Sequence, residues 1–276
     1  MGWLRPSHLK FTNMKKIITL LLLLPLSVLG QFKTGVVRYG EIQSMGMGAP
    51  VGADYNAILV FNTDTSLYIT RQDSLEGEHV FRMDTYTNGE NTFMQTYATN
   101  EIGFRFYNDR KNNTMYARDI GFDLVKQKTP KIDWTIHDKT KTIGDFKTQK
   151  ATASYKGRDY TAWFTTDIAL PYGPWKLQGL PGIILEAYDT NKEIYWYFKS
   201  LKYPGNFSNL LKPIPNKDER WMTYAEFKAE RIKGFKKTQV GSRMVSENAG
   251  IKTKSNENNS MLKSYIEDFE IKENKK

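Results

Sequence analysis

Cysteine is absent from all 276 residues. That single absence excludes disulfides, thiol nucleophiles and thiolate metal sites, and with them a lipid carried on an N-terminal cysteine. Histidine is almost as scarce. Of three in the chain, only His79 and His137 lie beyond the first thirty residues. A histidine-based zinc site needs two or three imidazoles with carboxylates nearby, and the nearest approximation, Glu76-Gly77-Glu78-His79, reads as an exposed polar turn. His137, just before Asp138-Lys139, reads as an exposed residue at a hairpin tip. Neither a metal nor a cofactor is expected. The sequence also lacks a Gly-x-Ser-x-Gly elbow, a zincin helix, a phosphate loop and a dinucleotide fingerprint.

Long apolar runs are missing beyond residue 30, and the one before it is short. Met14-Lys15-Lys16 opens a basic stretch, Ile17 to Leu29 is almost wholly apolar, and Gly30 supplies a small residue ahead of Gln31. Basic start, apolar run and small-residue exit make a cleaved secretory signal peptide; a membrane span needs roughly 20 apolar residues. Residues 1–13 read as an upstream extension, 14–30 as the leader, 31–240 as one antiparallel β domain, and 241–276 as a polar, partly disordered tail. The expected location is periplasmic or secreted, with no transmembrane segment in the mature chain.

An even charge balance is also missing. The formal net charge is +10. Arg5, Lys10, Lys15 and Lys16 supply four of those charges with no acid among them, and from Phe207 onward 15 basic residues face 10 acidic ones. The stretch between is close to neutral. The excess therefore sits in a leader and a solvated tail, and a nucleic-acid partner is not expected.

What the chain has in abundance is alternation. Ala57–Phe61 and Ser66–Thr70 flank Asn62-Thr63-Asp64-Thr65, and Phe104–Tyr107 and Met115–Ala117 flank a polar run from Asn108 to Asn113. Ala151–Tyr155 pairs with Tyr160–Thr165 across Lys156-Gly157-Arg158-Asp159, and Ile183–Tyr188 pairs with Ile194–Phe198 across Asp189-Thr190-Asn191-Lys192. Ile132, Trp134 and Ile136 alternate before Asp138, and Thr85–Gln95 carries an Asn88-Gly89 turn signal between polar flanks. Such runs between turn residues predict antiparallel sheet. One helix is predicted: Thr223-Tyr224-Ala225-Glu226 is a capping box, and Tyr224, Phe227, Ile232 and Phe235 share one helical face. The fold class is mostly β, a strongly curved, half-barrel-like antiparallel sheet with one or two helices of the C-terminal half against it.

Aromatic residues crowd one region. Trp163, Tyr172, Trp175 and Trp196 stand near Tyr160, Tyr188, Tyr195 and Tyr197, and rings with a flat apolar body and a polar tip suit sugar, lipid or peptide surfaces. The leading reading is a non-catalytic periplasmic or envelope binding or chaperone-like module with an aromatic-lined concave face. Trp163, Trp175, Trp196 and Tyr172 are the candidate ligand-binding residues on that face, although core packing accounts for the same rings. No catalytic residue is assigned. An alternative is a glycan- or peptide-acting hydrolase using a pair among Asp167, Glu186 and Asp189, since such pairs leave no local trace. A further alternative is an outer-envelope component engaging a partner through its basic tail.

The stretch Gly173 to Asp189 decides how these rings are placed. Leu180-Pro181-Gly182-Ile183 fits a type II turn, with Gly182 at the positive-φ position, and Gly179 removes a side chain where another backbone or ring lies close. Gly179-Leu180-Pro181-Gly182-Ile183-Ile184 resembles the signature of the GLPGLI family, exported proteins known mainly from the Bacteroidetes. Ile143-Gly144, Lys150-Ala151, the run Gly157–Thr165 and Gly173-Pro174-Trp175-Lys176 resemble the family pattern in the same order, as do Asn62 and Ser66-Leu67-Tyr68 upstream. Ile183 replaces the leucine of the name-giving pattern. Thr148 stands where many members carry cysteine, so a thiol role does not transfer. The resemblance implies export and a mostly β fold. The family has no established activity, so it supplies no catalytic residue; the implied partners are an envelope protein, a lipid or a glycan.

Overall fold

The computed structural model describes residues 33–44, 47–88, 91–214, 220–248 and 266–267. The upstream extension, the leader and most of the tail lie outside them. Fourteen strands follow in chain order: β1 Thr34–Gln43, β2 Ala53–Phe61, β3 Thr65–Thr70, β4 Phe81–Asn88, β5 Asn91–Ala98, β6 Phe104–Asp109, β7 Thr114–Arg118, β8 Leu124–Lys128, β9 Thr135–Ile143, β10 Phe146–Tyr155, β11 Arg158–Thr165, β12 Ile183–Asp189, β13 Ile194–Gly205 and β14 Met222–Thr223. One short helix, α1 (Asp73–Glu76), and one long helix, α2 (Tyr224–Asn248), complete the set.

Twelve strands form one sheet in the order β14-β8-β7-β6-β3-β2-β1-β13-β12-β11-β10-β9, and β4 and β5 pair separately. Every pairing is antiparallel except β14 with β8. The sheet is not closed into a barrel, but it curls strongly. Lys176 Nζ lies 5.5 Å from the Phe106 ring on β6 and 5.3 Å from the Trp175 ring, which lies 6.4 Å from Tyr160 on β11. β6 and β11 are six strand spacings apart, about 29 Å in a flat sheet at ~4.8 Å per strand. One Trp-Lys pair reaches both only because the sheet wraps around it.

The predicted hairpins form at β2–β3, β6–β7, β10–β11 and β12–β13. Residues 85–88 and 91–95 fall in the paired strands β4 and β5, which run further than their polar core implies, Phe81 pairing with Ala98; Gly89 of the expected Asn88-Gly89 turn lies outside the described residues. Asp138-Lys139 is not a hairpin tip. β9 runs through it to Ile143, and the chain reverses at Gly144 (φ 55) instead. Gly144 supplies the positive φ that Asp138 and Lys139 do not.

Both faces of the central strands are covered. On the inner face Val37, Tyr39, Leu59, Phe61, Phe106, Ala162, Phe164 and Trp196 join one cluster with Ile183–Leu185 at the start of β12 and with Leu177, Leu180 and Phe227. On the outer face Val36, Ile58, Val60, Leu67 and Ile69 pack with Leu75, Phe207 and Leu211. The capping box of α2 is made: Thr223 Oγ1 accepts from Glu226 N (3.2 Å), and Thr223 N donates to Glu226 Oε2 (2.8 Å). Phe227 is buried, with Tyr224, Ile232 and Phe235 half-buried around it. α2 continues past residue 240 to Asn248, and two residues of the segment read as a tail, Ile266 and Glu267, are 4% and 1% exposed in the core. No helix among the described residues is long and apolar enough to cross a membrane.

Candidate functional site

The loop between β11 and β12 is pinned by its own backbone. Leu177 N donates to Pro174 O (3.0 Å), Gly179 N to Pro171 O (3.0 Å) and Ile184 N to Tyr172 O (2.9 Å). Trp175 takes a positive φ of 53° to hold the bend. The two glycines of the Leu-Pro-Gly turn have exchanged the roles their sequence context implies. Gly179 carries the positive φ (95°) with open space around it, whereas Gly182 is not left-handed and sits so close to β11 that a Cβ would lie 2.0 Å from Thr165 O. Gly182 is there for close approach and Gly179 for backbone conformation.

This loop drives Lys176 into the interior. Its side chain is fully buried, Nζ donating to Asp119 Oδ2 at 2.9 Å and to Glu267 Oε1. Four rings surround the ammonium, those of Trp175, Phe106, Tyr224 and Phe227, at 5.3–5.8 Å. Burial disfavours the charged lysine, but the two carboxylates outweigh it and hold its pKa above the usual lysine value. Burial also raises the Asp119 pKa, and Lys176 offsets that only in part. At Glu267 the attraction of Lys176 and Lys156 overcomes burial and holds the carboxyl below its usual range. Tyr224 Oη donates to Glu267 Oε2 (2.7 Å), and Lys156 Nζ stands 3.9 Å from the same oxygen. Arg158 Nε donates to Ile266 O (3.1 Å), and its NH1 pairs with Asp189 Oδ2 (2.6 Å) and Glu193 Oε2 (3.3 Å).

A second buried polar group lies on β1. Glu41 is wholly buried and accepts from Tyr68 Oη, Trp196 Nε1 (3.0 Å) and Gln43 Nε2 (2.6 Å); Arg71 donates in turn to Gln43 Oε1. A cavity with room for about 10 Å³ lies beside Lys176, lined by Tyr68, Phe106, Asn108, Tyr172, Trp175 and Gln178 among others. That is about the least space that can hold one water.

The candidate rings are packed inside. Trp163 is 4% exposed, Trp175 3%, Trp196 0% and Tyr172 1%. The inner face is filled by the 166–182 loop, α2 and Ile266, so Trp175, Trp196 and Tyr172 line no concave groove open to solvent. Trp163 lies on the opposite face, paired across the strands with Glu186, with Lys141 Nζ 4.4 Å from its ring and its Nε1 3.5 Å from Tyr188 Oη. The acids part company too. Glu186 and Asp189 stand three residues apart on β12, so their side chains leave opposite faces. Glu186 pairs with Lys141 (2.7 Å) and Asp189 with Arg158, while Asp167 is exposed in the turn after β11. His79 is exposed 3.3 Å from Asp73, and His137 lies within β9, half-buried and 2.7 Å from Thr152 Oγ1. Among the described residues no three histidines or carboxylates converge as metal ligands.

A family model described as "Protein of unknown function (Porph_ging)" matches residues 155–186, the stretch from the end of β10 through the Leu-Pro-Gly turn into β12. No curated protein matches. Among solved structures, PNGF-II in a P21 crystal form is 16% identical with a TM-score of 0.46, covering 71% of this chain and 32% of that one. The same protein in a C2 form gives 15%, 0.43, 69% and 31%. This chain thus spans about a third of PNGF-II.

Asp119, Glu267 and the role of Lys176 escaped the sequence reading. The spacing from Asp119 to Glu267 leaves no local pattern, and the segment that carries Glu267 reads in sequence as a polar tail.

Proposed function

We propose that this chain is an exported, non-catalytic binding module of the GLPGLI family, acting in the periplasm or outside the cell. We further propose that it meets its ligand on the outer side of β11–β13. The supporting observation is where partly exposed aromatic rings gather. Tyr188 on β12 lies 5.8 Å from Tyr195 on β13, and Tyr195 lies 5.6 Å from Tyr197. Lys192 stands 4.9 and 5.0 Å from the first two rings and Lys199 5.4 Å from the third. Gly40 on β1 makes room for this patch, since a Cβ there would lie 2.1 Å from the Tyr197 ring. The Tyr197 hydroxyl already donates to Asp54 Oδ2 (2.7 Å) and Lys199 gives one proton to Asn56 Oδ1 (2.8 Å). That leaves Tyr188, Tyr195 and the remaining ammonium protons as donors at the rim of an apolar ring surface, an arrangement that suits an extended carbohydrate.

Titration of the mature protein with neutral and acidic oligosaccharides, followed by calorimetry, tests the reading. Saturable binding that falls about tenfold or more in a Tyr195→Ala/Tyr197→Ala variant is expected. Equal binding by the variant, or none by the parent, overturns it. N-terminal sequencing of protein recovered from the envelope checks export, with Gln31 expected as the first residue.

A further inference from the structure

We propose that the slot between the β10–β11 turn, the Gly-Pro-Trp-Lys loop and the start of α2 is a carboxylate-recognising peptide site. Its occupant here is the chain's own Ile266-Glu267, docked as a releasable ligand.

The contacts are those of peptide recognition. Ile266 offers its carbonyl to Arg158 Nε (3.1 Å) and Tyr160 Oη (3.4 Å) while its side chain joins the apolar core. Glu267 is read by Lys176, Tyr224 and Lys156. One main-chain acceptor, one aliphatic side chain and one carboxylate are thus each matched to a different wall.

The framework is built to survive departure. Removing one partner of a buried ion pair is costly because the other charge is stranded. Here Lys176 keeps Asp119 (2.9 Å), and Arg158 keeps Asp189 (2.6 Å) and Glu193 (3.3 Å). Lys156, whose side chain is 16% exposed, rests over the Tyr224 ring at 3.1 Å and can turn to water. Glu267 regains full hydration on leaving. Tyr155, beside the slot at 5.8 Å from Trp175, has a buried hydroxyl with no hydrogen-bond partner while Glu267 is seated. That leaves a donor for a ligand with one acceptor more than the cis segment presents.

The test keeps the body intact. A protease site placed between Gly250 and Ser260 in the full chain is cut after folding, and a labelled peptide spanning Met261–Lys276 is added. Retention of the C-terminal fragment on gel filtration, its exchange for labelled peptide, and about tenfold or greater weakening by Glu267→Ala in the peptide are expected. Exchange between copies at high concentration supports the same slot. A fragment that never exchanges under excess peptide, one whose loss unfolds the body, or equal competition by the Glu267→Ala peptide overturns the proposal.

Discussion

At the scale of single residues, Lys156 concentrates two costs. It occupies the first position of a two-residue hairpin turn at φ 52°, followed by Gly157 at 79°, a turn that favours asparagine or glycine over lysine at that position. Its ammonium is also partly desolvated, and burial, only partly offset by Glu267, brings its pKa from 10.5 down to about 8. The sign of the pH dependence follows. Between about 8 and 10.5 the unfolded chain binds the proton that the folded chain has released, so stability rises with pH across that window. Lys156→Asn should remove this rise, worth about 3 kcal/mol, and leave the protein more stable at pH 7; urea denaturation at pH 7, 8, 9 and 10 measures it. An unchanged alkaline slope would mean that the lysine is as well hydrated folded as unfolded. The sequence showed a turn at 156–159 but could not show the charge beneath it, because Glu267 arrives from more than a hundred residues away.

At the scale of elements, the chain was legible where a partner strand follows at once. The β2–β3, β6–β7, β10–β11 and β12–β13 hairpins combine apolar alternation with turn chemistry, both local signals. β9 was misplaced because, of the alternating Ile132, Trp134 and Ile136, only Ile136 lies in the strand; Trp134 instead donates from Nε1 to Gln178 O (2.8 Å) across to the Leu-Pro-Gly segment. The launch of β12 shows the same limit on local inference, since which glycine is needed for φ and which for space depends on β11. Gly182→Ala forces a Cβ to 2.0 Å from Thr165 O, a backbone atom that cannot turn aside, and should cost about 3 kcal/mol or more. Gly179→Ala meets only the left-handed backbone penalty in open space and should cost about 1–2 kcal/mol. Denaturant midpoints of the two variants check the ranking, and a costlier Gly179→Ala would restore the type II turn reading.

At the scale of the whole molecule, the sheet's seam joins β1 to β13, pairing Tyr39 with Phe198 and Gln43 with Ile194. No sequence pattern announces a register between strands so far apart, so a mostly β, strongly curved fold was foreseeable while its strand order was not. The open sheet leaves β9 paired only with β10, and that edge has nine residues of free backbone hydrogen-bonding groups to manage. Its centre is Asp138-Lys139-Thr140-Lys141, with the first three exposed, and charges at an edge make pairing with a second copy unfavourable. The opposite edge needs no such device, because β14 contributes only Met222 and Thr223 and leads straight into α2. Asp138→Thr with Lys139→Val keeps the β-propensity of the strand and removes two charges. The folded variant should therefore retain its denaturation midpoint within about 0.5 kcal/mol yet associate as concentration rises, which light scattering across a concentration series reports. Monomeric behaviour equal to the parent would mean that the edge is protected by shape alone, and that the lysines of β9 serve another purpose, as Lys141 already does in holding Glu186 against the outer face.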